Sequence, residues 1–360
     1  MSNCYYHLGI AGGFHFWNWA IVSICPTDWK GRYSLAMCDD AVRNPEQTPE
    51  PLVAVLVPSY NQEKYIFECL ESIKSLNYRR LELIISDDCS RDGTFELAKQ
   101  WTRENSGRFE RTHVVRQDKN IGIVRNLQYL FNNAQGDYLA YIAADDAFVE
   151  SAILGRVEIM RRDRNVDGVF GNAQLISNTG GVLRERFIPR WIARELTSRR
   201  LLVSSLLLNW RSPGPVMMLR REAVLENGSL GILPPDLQGE DKYIYIRLAA
   251  HGKLQFIDEV VAKYRVVQDS LSRTPSLHRD VFEYCLQSDK RNRHLVSGLD
   301  RCAIEIRIER FDLELNKGCA MIYELKKLFL RFLAMQLKII LFIRAIICKA
   351  WPLEESDKRC

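Results

Sequence analysis

The ten cysteines of this chain, Cys4, Cys25, Cys38, Cys69, Cys89, Cys285, Cys302, Cys319, Cys348 and Cys360, form no C-x-x-C pair. Their scatter argues against a zinc site and offers no disulfide framework. Scattered thiols in 360 residues fit a reducing cytosol. Cys69 and Cys89 lie in or beside apolar runs and read as core or near-core thiols. No G-x-G-x-x-G follows the first strand and no G-x-x-x-x-G-K-[ST] occurs, which excludes the dinucleotide fingerprint and the P-loop. No basic stripe crosses the first 320 residues and the net charge is only +5, so no nucleic-acid partner is expected. His251 and His278 have no His or Cys partner at ligand spacing and read as surface or satisfied histidines. The apolar stretch "GGFHFWNWAIVSIC" (12 to 25) is short for a membrane span and has no Lys or Arg before it, as a signal peptide would. Residues 1–50 read as an extension of unknown structure, with "RNPEQTPEP" (43 to 51) as a linker and Met37 as an alternative start.

What is present is an ordinary globular balance, 47% hydrophobic and 26% charged. From Leu52 the pattern becomes regular. Continuous apolar runs at 52–58, 81–88, 112–117 and 137–146 read as strands buried on both faces. Helical spacing fills the gaps at 62–76, 92–105 and 120–134. Strand and helix in alternation predict a Rossmann-like, mostly parallel sheet flanked by helices. In such sheets ligands sit beyond the carboxyl ends of the strands. Those ends are "PSYN" (58 to 61), "SDDCSRDGT" (86 to 94) and "AADD" (143 to 146), so three polar clusters converge on one rim. With no glycine cradle, a divalent cation held by carboxylates is the natural partner for a diphosphate.

Four stretches carry a resemblance: "VAVLVPSYNQEKYIFECLESI", "IISDDCSRDGT", "NIGIVRNLQYLFNNAQGDYLAYIAADD" and "GEDKYIYIRLAAHG". Together, over about residues 52 to 270, the chain resembles a family 2 glycosyltransferase of the GT-A fold. The resemblance implies a GT-A domain over 51–275, followed by a helical region over 276–360. It implies an inverting, metal-dependent transfer of a sugar from a nucleotide-diphosphate sugar, with UDP the expected carrier. The acceptor would be a hydroxyl of a glycan or a lipid-linked molecule, in cell-surface polysaccharide or glycolipid synthesis. Residue by residue, Pro58, Ser59 and Tyr60 match the loop bordering the base, and Glu63 matches an acid common there. Asp88, with Asp87 beside it, matches the acid that bonds the base. Arg125 matches a basic residue near the nucleotide. Asp145 and Asp146 match the DXD element that holds Mn²⁺ or Mg²⁺, with Asp146 the direct ligand. Asp241 matches the catalytic base. One departure is Ala143, where many relatives carry a further acid.

The chemistry suits these residues. A nucleotide diphosphate leaves poorly until its charge is neutralised, and the acceptor hydroxyl must lose a proton as it attacks. Simpler roles compete. Asp87 and Asp92 could cap the next helix, and Glu240 with Asp241 could be an N-cap pair. Arg125 could be a solvated helix residue, and Trp210 either a sugar-stacking ring or a core aromatic. Tyr264 and Arg265 could help close the donor site. Two rival functions are a nucleotidyltransferase, which would want a Gly/Lys-rich loop after the first strand, and a silent family member that only binds.

The tail "LKKLFLRFLAMQLKIILFIRAIICKA" (325 to 350) has six basic residues and no acid. At 100° per residue Lys326, Lys327, Arg331, Lys338, Arg344 and Lys349 share one side. This predicts a basic amphipathic helix over about 323–351, lying on the inner face of the cytoplasmic membrane or docked on a protein surface.

Overall fold

The computed structural model describes residues 50–209, 216–237, 239–266, 278–315 and 320–350. Residues 1–49 and Trp210, singled out above, lie outside the described residues.

The apolar runs form the strands expected of them. Strands β1 (Val53–Ser59) and β2 (Leu81–Asp87) are buried along their whole length and pair in parallel. β3 (Arg111–Arg116) extends the sheet on one side and β4 (Tyr138–Tyr141) on the other, both parallel to their neighbours. Helices α1 (Ile66–Lys74), α2 (Thr94–Asn105) and α3 (Ile123–Asn133) make the crossovers. Beyond β4 the sheet becomes mixed. It takes in β5 (Ala147–Phe148), β6 (Gly168–Ser177), β7 (Val182–Arg184), β8 (Met217–Arg220) and β9 (Leu254–Val266). The strand order is β3-β2-β1-β4-β8-β6-β9-β5, with β7 on the edge of β6. β8 is antiparallel to β4, and β9 is parallel to β6.

Boundaries differ from the periodicity in ways that matter for the site. The fourth run ends as a strand at Tyr141, and Asp146 N–H closes a turn onto Ala143 O at 3.0 Å. Both acids therefore stand on a turn rather than a strand end. Helix α3 begins at Ile123, because Gly122 takes φ +83°, which only glycine adopts without strain.

The second half adds α4 (Leu154–Arg162), α5 (Arg190–Leu196), α6 (Leu202–Leu208) and α7 (Glu240–Ala250), then α8 (His278–Asn292), α9 (Gly298–Leu315) and α10 (Ala320–Ala350). α8 packs on α7 and α9, α9 packs on α6, and α10 lies along α9 and α6. Helix α10 covers the predicted amphipathic segment, and its orientation is informative. Lys327 pairs with Glu314 at 3.4 Å and Lys338 donates to Asn209 Oδ1 at 2.8 Å, so these two basic residues reach to the protein body. Leu325, Leu328, Phe329, Phe332, Met335, Ile339, Ile340 and Ile343 are 45–65% exposed. Among the described residues no helix is long and apolar enough to cross a membrane.

Candidate active site

The rim expected beyond β1, β2 and β4 is real, but its residues divide into fasteners and open groups. At the end of β1, Ser59 donates from Oγ to Asp87 Oδ1 at 3.3 Å. Asp87 is fully buried and also accepts from Ser90 N and Oγ at 2.8 and 2.5 Å, with Arg116 Nε at 3.7 Å. Asp88 accepts from Ile121 N at 2.7 Å and Gly122 N at 2.9 Å, one bond on each carboxylate oxygen. It thereby pins the turn that leads into α3. Glu63 is exposed and accepts from Gly93 N at 3.0 Å, tying the two rim loops together. Asp92 accepts from Thr94 N and Oγ1, the capping role weighed for it, and these bonds hold its carboxyl below the usual range against the push of burial. Pro58 is buried in β1. Tyr60, 40% exposed, and Arg125, exposed on the first turn of α3, face outward.

Asp145 and Asp146 sit on the turn after β4. Asp146 is 2% exposed and accepts from Arg265 N at 2.8 Å through Oδ1. Asp145 is half-buried, and the Gln62 side chain bonds to it. Burial pushes the Asp145 carboxyl up, and burial with the charge of Asp145 pushes Asp146 well up. The neighbouring cation is Arg265, which sequence reasoning only touched on. Its guanidinium is committed elsewhere: Nε to Asp145 O at 2.7 Å, Nη1 to Ser177 O and Asn178 O at 3.2 and 3.3 Å, and Nη2 to Glu68 Oε2 at 2.5 Å. It also lies 5.0 Å above the Tyr65 ring. Arg265 thus holds the backbone that carries the acids, rather than pairing with their carboxylates. Two adjacent, poorly solvated carboxylates are a hard-oxygen donor pair, and a divalent cation would offset their repulsion. The residues present fit such an ion. Ala143 offers no third carboxylate, and among the described residues no group of three or more His, Cys, Asp or Glu gathers.

Asp241 stands in the first turn of α7 beside Glu240, after Gly239. Lys242 N donates to Asp241 Oδ1 at 2.6 Å. Burial holds the Asp241 carboxyl above its usual range, and burial with Asp241 brings Glu240 to about 7. Burial pushes the hydroxyl of Tyr141, the last residue of β4, well up, and the charges of Glu240 and Asp241 add to that push, so the α7 start lies near the end of β4. A carboxylate there, electrostatically favoured at a helix start, can accept a proton. Buried polar groups that the sequence did not betray complete the frame. Asn126 bonds Ser86 through both its amide atoms, and Glu82 accepts from Gln135 N and Gly136 N at 2.8 and 2.9 Å.

Residues 54–227 match the family model for glycosyl transferase family 2. A protein of Bacillus subtilis strain 168, provisionally named the teichuronic acid biosynthesis glycosyltransferase TuaG, is 27% identical over 226 residues, 62% of this chain and 82% of its own. Among solved structures, TarS 1–349 of S. aureus in complex with UDP-GlcNAc superposes with a TM-score of 0.54 at 17% identity, covering 72% of this chain and 71% of that one. The mannosyltransferase PcManGT from Pyrobaculum calidifontis, in complex with GDP-Man and Mn²⁺, gives a TM-score of 0.54 at 18% identity over 85% and 89%. Against a longer TarS chain the match spans 43% of that chain's length. The sheet order, the rim and the family match agree: the chain is a glycosyltransferase, its residues 54–227 matching family 2, built on the GT-A fold.

Proposed function

We propose that this enzyme transfers a sugar from a nucleotide-diphosphate sugar to a hydroxyl of a glycan or lipid-linked acceptor, inverting the anomeric carbon. The observation that carries the reading is the adjacent Asp145–Asp146 pair, half-buried and buried, beside which Arg265, the close cation among the described residues, is spent on main-chain carbonyls and Glu68. Asp146, assisted by Asp145, would hold Mn²⁺ or Mg²⁺, which when bound neutralises charge on the leaving diphosphate. Pro58, Ser59, Tyr60 and Arg125 border the nucleotide, and Asp87, Asp88 and Glu63 fasten that border. Asp241 takes the proton of the attacking hydroxyl, and a single in-line displacement inverts the centre. General-base assistance of this kind is worth about 10² to 10⁴-fold.

The donor site is tested by calorimetry with UDP, GDP and dTDP, with and without Mn²⁺. Binding of one nucleotide only with metal, lost in Asp146→Ala, is the expected result. Failure of all three nucleotides to bind under either condition overturns the reading. Asp241→Asn should keep nucleotide binding and lose about 10² to 10⁴-fold in turnover.

The same reading extends to a membrane. The exposed apolar face of α10, in a segment with six basic residues and no acid, suits the surface of an anionic bilayer. There the enzyme would work as a peripheral protein of the cytoplasmic face, next to lipid-linked acceptors in polysaccharide or glycolipid synthesis.

A further inference from the structure

The residue after Asp241 points away from the rim. Lys242 is 3% exposed, and its Nζ crosses to α8, 2.6 Å from Asp289 Oδ1, while donating to Cys285 O at 3.4 Å. Asp289 is fully buried, and its Oδ2 accepts from Arg307 Nε of α9 at 3.1 Å. Arg307 also donates through Nη1 to Leu207 O, at the end of α6. The Phe311 ring lies 5.1 Å from Lys242 Nζ and 5.0 Å from Arg307 Cζ. One residue further on, Tyr243 O accepts from Asn292 Nδ2 at 3.2 Å. Two consecutive residues of the α7 start are therefore gripped by α8, and through Asp289 by α9 and α6.

Stability alone does not explain such a cluster. Desolvating three charges offsets most of their attraction, and an apolar trio of similar volume would pack as well or better. What the charges add is pairing: the Lys242 ammonium lies 2.6 Å from one oxygen of the Asp289 carboxylate, and the Arg307 guanidinium donates to the other. Lys242 is also the residue whose N–H holds Asp241 Oδ1, so whatever fixes Lys242 fixes the acid.

We infer that Lys242, Asp289 and Arg307 are positioning residues for Asp241, through which the C-terminal helices α8 and α9 set the placement and the electrostatic surroundings of the base. The inference rests on the reading of Asp241 as that base and deepens it. Among the described residues the ionisable groups around Asp241 are Glu240 and Lys242 on α7, Tyr141 on β4 and Cys285 on α8. The Lys242 ammonium opposes the upward push of burial on Asp241, while burial and Arg307 bring Lys242 itself down to about 8. A base works ionised, so activity falls as pH drops through its pKa. Without the ammonium that acid limb moves to higher pH.

The test uses the full chain and metal-dependent hydrolysis of whichever of UDP-GlcNAc and GDP-Man it accepts. Lys242→Met and Arg307→Met should each lower kcat about ten- to a hundredfold with donor KM unchanged. In Lys242→Met the acid limb of the kcat profile should also move upward. Arg307→Lys, which keeps a cation on Asp289, should recover most of the lost kcat. An unchanged kcat and acid limb in Lys242→Met, beside an inactive Asp241→Asn, overturns the inference. An active Asp241→Asn instead overturns the reading of the base. Should Lys242→Met fail to fold, the Arg307→Met and Arg307→Lys pair decides: equal kcat in the two variants overturns the inference.

Discussion

Arg265 makes its contacts with three separate pieces of chain: Asp145 and Asp146, Glu68, and the carbonyls of Ser177 and Asn178. Arg265→Met would leave those carbonyls without their donor, and a buried polar group left unpaired costs about 1–3 kcal/mol. The expected outcome is a lowered urea midpoint with an unchanged slope, together with weaker metal-dependent nucleotide binding. Glu240 allows a second test at this scale. A carboxyl held near 7 in the folded chain binds its proton more tightly there than in the unfolded chain. Ionising it therefore opposes folding, and the penalty grows as pH rises from the ordinary carboxylate range to about 7. Glu240→Gln should raise the thermal midpoint over the unmodified chain more at pH 8 than at pH 4.5. A constant difference between the two would refute this. Asp145, Asp146 and Asp241 could be proposed from the sequence because their motifs are local. The sequence did not reveal Arg265 as the organiser, since its partners lie 87 to 197 positions away.

At the scale of elements, burial on both faces made β1 and β2 legible as unbroken apolar runs. The fourth run was over-read because apolar residues continue past Tyr141 into a buried turn, and period alone cannot tell a strand from a buried bend. The helix starts were read two to four residues early for a related reason. Asp88 and Glu63 satisfy backbone donors 30 to 34 positions away, and Asp92 one two residues on, where α2 and α3 begin. The junction before β4 is tightly specified. A Cβ on Gly136 would lie 2.5 Å from Ala54 N in the adjoining β1, a backbone atom that cannot swing aside. Gly136→Ala should cost on the order of 1–3 kcal/mol, the range for overpacking a dense core. Gly107→Ala, with open space around the new methyl, is the matched control, and denaturant midpoints compare the two.

For the whole molecule, α10 presents apolar side chains outward while Lys327 and Lys338 engage the body. The sequence pattern located the helix and its two faces, but not which face would be covered. Leu337 turns inward, while Lys326, Arg331 and Lys338 stay exposed beside the apolar side chains. Co-sedimentation with vesicles should therefore need both chemistries. Binding should be stronger to vesicles containing phosphatidylglycerol than to phosphatidylcholine alone, and should weaken with salt. Phe329→Ser with Phe332→Ser should reduce it under both conditions without changing nucleotide binding. Equal binding of this double variant and the unmodified chain would rule out insertion by that face.

The two adjacent acids that end β2 also bear on how this enzyme could be redirected to a different donor. Asp87 and Asp88 each anchor a loop, through Ser59 and Ser90 in one case and Ile121 and Gly122 in the other. Randomising them would mostly sample misfolded variants. Tyr60 and Arg125 stand exposed on the same rim and anchor neither loop. If the proposed donor site holds, a library confined to those two positions would explore nucleobase preference while leaving these loop anchors intact.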